Sequence, residues 1–190
     1  MNRHRIILGA ILLLASLAVG LTACGDDNSG TADSTTIVTS AQSPERAYAT
    51  ALRDAGGAFV DLGAAIASGD DPAAAASSIR ESLSAWEQAV AAANAADLTN
   101  EKLAGQRDAL VASSGDFTAG WSAVANQWEG GEANGILELA QQRSAIAGGV
   151  EALAAAVEGA VEIAGAEAQE VLEGLQERID AGLDEIQSQE

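Results

Sequence analysis

The sequence predicts an all-α domain: a bundle of about four helices, the last of them long. Three observations lead there. Of 190 residues 44 are alanine, and only six are aromatic: Tyr48, Phe59, Trp86, Phe117, Trp121 and Trp128. Alanine is the strongest helix former, and β-branched residues are few. Apolar residues recur in steps of three and four, and no alternating run marks a strand. The two prolines, Pro44 and Pro72, directly follow Ser43 and Asp71. Serine and aspartate cap helix N-termini, and proline is tolerated in the first turn.

In chain order, residues 1–23 read as an export signal. Arg3-His4-Arg5 is basic, and the segment from Ile6 to Leu21 is apolar. That order is the pattern of a secretory leader. A bilayer-spanning helix needs about 20 apolar residues, more than this segment supplies. It finishes with Leu21-Thr22-Ala23-Cys24, and Cys24 is the single cysteine of the chain. This ending resembles the lipobox of bacterial lipoproteins. The resemblance covers the first 24 residues and implies cleavage before Cys24, a diacylglyceryl thioether on its sulfur and acylation of the new N-terminus. The implied location is the extracytoplasmic face of the cell membrane. The composition, rich in alanine and glycine with Lys102 as the single lysine, resembles that of proteins from high-GC actinobacteria.

Residues 24–43 read as a flexible tether. Gly25-Asp26-Asp27-Asn28-Ser29-Gly30 is polar, and residues 31–40 are rich in Ser and Thr. Such a linker has a root-mean-square reach of about 24 Å, from roughly 5–6 Å times the square root of its length.

The domain is expected over 44–190. Helix one is expected over 44–68, with the stripe Tyr48, Leu52, Ala55, Phe59, Leu62 and Ile66. Helix two is expected over 72–96, with Ile79, Leu83, Trp86, Val90 and Ala93. Helix three is expected over 99–129, with Leu103, Leu110, Phe117, Trp121, Val124 and Trp128. Ser113-Ser114-Gly115 interrupts that stripe and predicts a kink. Gly130-Gly131 ends it.

Helix four is expected over 132–187, because neither proline nor a strong stop occurs there. Its apolar stripe advances by about 3.64 residues per step, near the period of a straight α-helix. Such a helix would be roughly 84 Å long at 1.5 Å per residue, far beyond its partners. It must overhang, break near Gly159 or Gly165 and fold back, or pair with another chain. Its end carries Leu172, Leu175, Ile179, Leu183 and Ile186. Burying a Leu or Ile is worth roughly 1.5–3 kcal/mol, so something should cover these residues: the same chain, a second copy or a protein partner.

Composition narrows the chemistry. The net charge is −19, and the signal contains no acid; without Arg3 and Arg5, seven basic residues face 28 acidic ones, a mature charge of −21. Such a surface disfavours nucleic acid. The only histidine is His4, inside the signal. The mature chain therefore lacks the side chains for Ser-His or Cys-His catalysis and for His- or thiolate-bound metal, and no cofactor is expected. On a continuous helix four, Glu158, Glu162, Glu173 and Glu177 would share one face, a weak candidate for divalent cations or otherwise a solvated surface. Trp86, Trp121 and Trp128 would line a ligand cleft or fill the core. The expected function is a non-enzymatic structural or interaction role in the cell envelope. The alternatives are a small-ligand-binding helical domain, or an accessory subunit of a transporter or envelope assembly.

Overall fold

The computed structural model describes residues 43–67 and 71–179. It contains α1 (Pro44–Ala67), α2 (Pro72–Asn94), α3 (Glu101–Trp128), α4 (Glu132–Ala164) and α5 (Ala166–Leu172). A further helical turn covers 175–179, and no strand occurs among the described residues. The chain is all-α, as its alanine content and apolar steps predict.

The helix starts follow from local chemistry. Ser43 Oγ accepts from the Arg46 amide at 3.2 Å. Asp71 Oδ1 accepts from the amides of Ala73 and Ala74 at 3.0 and 3.3 Å. Each cap occupies donors that a first turn otherwise leaves unpaired. Asn100 caps α3 in the same way, through Lys102 and Leu103, so that helix begins two residues after the expected position. α2 ends at Asn94 rather than at 96.

Sequential helices pack against each other, and α1 closes the bundle against α4. The order is up-down-up-down. Arg80, early in α2, bonds Glu129 and Asn126 at the end of α3. Arg107, early in α3, donates to the Ala96 carbonyl just past α2. Lys102 and Glu162 join the start of α3 to the end of α4. Ser43 therefore lies at one end of the bundle, and the α3–α4 turn lies at the other. α4 is long and apolar enough to cross a membrane. Its residues Ile146, Val150, Leu153 and Val157 are nonetheless fully buried in the core.

One expectation is corrected. The single helix over 132–187 ends at Ala164, because Gly165 adopts φ +66°. That conformation is accessible to glycine at little cost and breaks the helical hydrogen-bond ladder. α5 then packs against α1 and α4, and Gly174 (φ +72°) makes a second turn. Ala168, Leu172, Leu175 and Ile179 become buried. Their burial provides the driving force for the turn. Of the three arrangements open to the C-terminal stripe, folding back at Gly165 is the one observed. Leu183 and Ile186 lie outside the described residues. α3 is one continuous helix through Ser113-Ser114-Gly115.

Candidate functional site

The tryptophans belong to the core. Trp86, Trp121 and Trp128 are all buried among the described residues. Trp86 stacks on Phe117 with ring centroids 4.2 Å apart, and Phe117 meets Trp121 edge-on at 6.4 Å. Both geometries suit the aromatic quadrupole. The Trp86 Nε1–H donates to Ser114 Oγ at 2.9 Å. The polar gap in the α3 stripe is thus the acceptor that allows the Trp86 indole to be buried. Phe117 seats against Gly149, where a Cβ would lie 2.6 Å from its Cδ2. Trp128 lies over Gly135, which likewise leaves no space for a side chain. Two α4 glycines therefore shape the floor on which aromatic rings of α3 rest.

The acidic candidates are separated. Glu158 and Glu162 stay on α4, whereas Glu173 and Glu177 follow the break at Gly165. The continuous acidic face required an unbroken helix, and that reading is corrected. Glu162 Oε2 pairs with Lys102 Nζ at 2.6 Å. The pair is exposed on both sides and so contributes little to stability. Among the described residues no group of three or more His, Cys, Asp or Glu side chains is placed to hold a metal ion.

The fold-back creates a groove that the sequence did not disclose. It lies where the segment after α5 crosses α1, with a volume of about 450 Å³. Arg53, Asp54 and Asp61 of α1 face Glu173 and Arg178 across it. Arg53 is already bound to Asp54 at 2.7 Å. The groove is open and mixed in charge, with no buried nucleophile or base.

Sequence reasoning also passed over the buried polar atoms of Tyr48 and Gln106. Tyr48 is fully buried, and burial pushes its phenol well above the usual tyrosine range. The Arg107 charge acts against that shift, and Asp108 adds to it. The Tyr48 hydroxyl and Gln106 Oε1 have no hydrogen-bond partner among the described residues. Gln106 presses its amide against Gly159. The glycine considered as a break in helix four instead makes room for a neighbouring side chain, and α4 runs straight through it.

Cys24 lies outside the described residues. No family model, curated protein or solved structure matches the chain.

Proposed function

We propose that the chain is a lipid-anchored protein of the cell envelope whose helical domain acts by interaction rather than by catalysis. One observation carries the reading. The apolar segment after Arg3-His4-Arg5 ends at Leu21-Thr22-Ala23-Cys24, and a polar tether separates that cysteine from the first helix. Two acyl chains give a stable anchor where one gives a marginal one. The tether then holds an acidic domain off a surface of like charge.

The non-enzymatic part rests on side-chain supply, because the only histidine, His4, lies in the signal and the only cysteine, Cys24, is the anchoring residue. The closed tryptophan core supports it too, since ligand pockets are usually largely pre-formed concave sites. The ligand-binding alternative loses its supporting feature when Trp86, Trp121 and Trp128 are buried. The accessory-subunit reading relied on an overhanging apolar stripe. Leu172, Leu175 and Ile179 of that stripe are covered by the chain itself.

The test is to express the chain and its Cys24→Ser variant with a labelled fatty acid and to fractionate the cells. Label on the wild type alone, with wild type in membranes and the variant released or left unprocessed, supports the anchor. Equal membrane retention and no label on either protein would remove it.

A further inference from the structure

Residues 166–179 form a strap that a single residue joins to the bundle. Gly165 (φ +66°, ψ −145°) is at once the C-cap of α4 and the N-cap of α5, and α5 begins without a side-chain cap. The last carbonyls of one helix and the first amides of the next lack intrahelical partners. A continuous helix would join them. The sequence suits that continuous helix, because Val157, Val161, Ala164, Ala168, Val171 and Leu175 keep steps of four and three through Gly165. What holds the break is the seat of the strap. Ala168, Leu172, Leu175 and Ile179 are buried, α5 packs on α1 and α4, and Leu175 fills the notch at Gly56. Two demands therefore oppose each other within one chain. The helix ends favour extension, and the apolar side chains favour the seat.

We propose that the strap is exchangeable: residues 166–179 of one copy take the same seat on α1 and α4 of a second copy. In the exchanged pair α4 continues as helix through residue 165, and each strap regains the contacts that it makes in the closed chain. The turn at Gly174 lies inside the exchanged element and keeps its form. The occupant follows from the fit, since the notch at Gly56 is filled by Leu175 and a second copy carries the same leucine in the same strap. Extension without exchange is unfavourable, because it leaves buried apolar side chains in water. Exchange of an identical element is a low-cost route to a dimer, and a short hinge favours it. Two terms oppose it: the freedom lost on association, and the mutual repulsion of two strongly acidic chains. The closed chain therefore prevails in dilute solution, and exchange grows with protein concentration and with salt. None of this depends on the acyl anchor.

The test uses the full chain. Gly165→Ala penalises the positive φ and favours a continuous helix. At a concentration where the wild type sediments as a monomer, this variant should sediment as a dimer, with a dissociation constant lowered about tenfold or more. A second measurement reads the seat without that variant. Gly56→Cys and Leu175→Cys chains, each also carrying Cys24→Ser, are mixed, unfolded, refolded together at high concentration and oxidised. Each chain then has one cysteine, so a bridge between positions 56 and 175 joins two copies. That mixed disulfide should form, and more of it at about 1 M than at about 0.1 M salt, where the Debye length is roughly 3 rather than 10 Å. It should exceed the yield from Gly56→Cys with Ser144→Cys, whose cysteine lies outside the strap. Circular dichroism checks that each variant is folded. A folded Gly165→Ala monomer would overturn the proposal, as would a 56–175 disulfide no more abundant than the 56–144 one. If Gly165→Ala does not fold, the disulfide yields decide alone.

Discussion

Gly56 of α1 and Leu175 are in direct contact: the isobutyl group of Leu175 fills the space that a Cβ at residue 56 would need. The contact follows from the two positive-φ glycines, Gly165 and Gly174, which redirect the chain onto α1. It converts a stripe that would overhang as a straight helix into part of the core. Leu175→Ala should destabilise the domain by about 2–5 kcal/mol, the usual cost of truncating a buried leucine. Gly56→Leu should cost about 1–3 kcal/mol by overpacking, and adding Leu175→Ala should return part of it. Denaturant titration measures both. Truncation after Gly165 should lower the melting temperature and leave the association state unchanged.

Gly149 offers a sharper steric test. Its hypothetical Cβ meets not only the ring of Phe117 but also the Phe117 Cβ, at 2.7 Å. A rotamer change cannot move that atom away. Gly149→Ala should therefore be destabilising by about 1–3 kcal/mol, although alanine is the better helix former. An unchanged midpoint would mean that the α3–α4 packing is looser than described.

Ser114 sits in the middle of α3 and accepts the Trp86 indole proton. Ser114→Ala should cost about 1–3 kcal/mol, because the buried N–H is left without an acceptor. Wild-type tryptophan emission should be blue-shifted and poorly quenched by acrylamide, since all three indoles are buried. Strong quenching of the folded protein would contradict the closed core.

These positions show how far the sequence could be read. Ser43-Pro44, Asp71-Pro72 and Gly130-Gly131 marked helix boundaries because capping and turn chemistry is local. Trp86, Trp121 and Trp128 were legible as stripe residues, which left core and cleft open until burial decided between them. The break at Gly165 was one of two glycine candidates. Periodicity could not choose, because the apolar step stays regular on both sides of each. The distinction lies in tertiary contacts: Gly159 receives Gln106, while Gly165 turns the chain toward α1. Ser114 read as a defect in a stripe because its partner is 28 residues away in sequence. The groove beside Arg53 and Arg178 had no sequence signature, since it exists only once the chain folds back.

Tyr48 predicts an alkaline sensitivity. Its phenol is raised in the folded state by burial, against about 10 in an unfolded chain. The folded state therefore holds its proton more tightly. Stability from this group is fully present below about pH 10 and declines above it, as the unfolded chain ionises first. Tyr48→Phe should flatten that decline. At neutral pH it should change stability little, because the hydroxyl has no partner among the described residues. Denaturant midpoints between pH 8 and 11, for both proteins, read this out.

The most direct measurement is the mass of the N-terminal peptide of the mature protein, isolated from membranes after proteolysis. The account predicts a peptide that begins at Cys24 and carries a diacylglyceryl group with an added acyl chain on its amine. An N-terminus at another residue, or an unmodified Cys24, would contradict it.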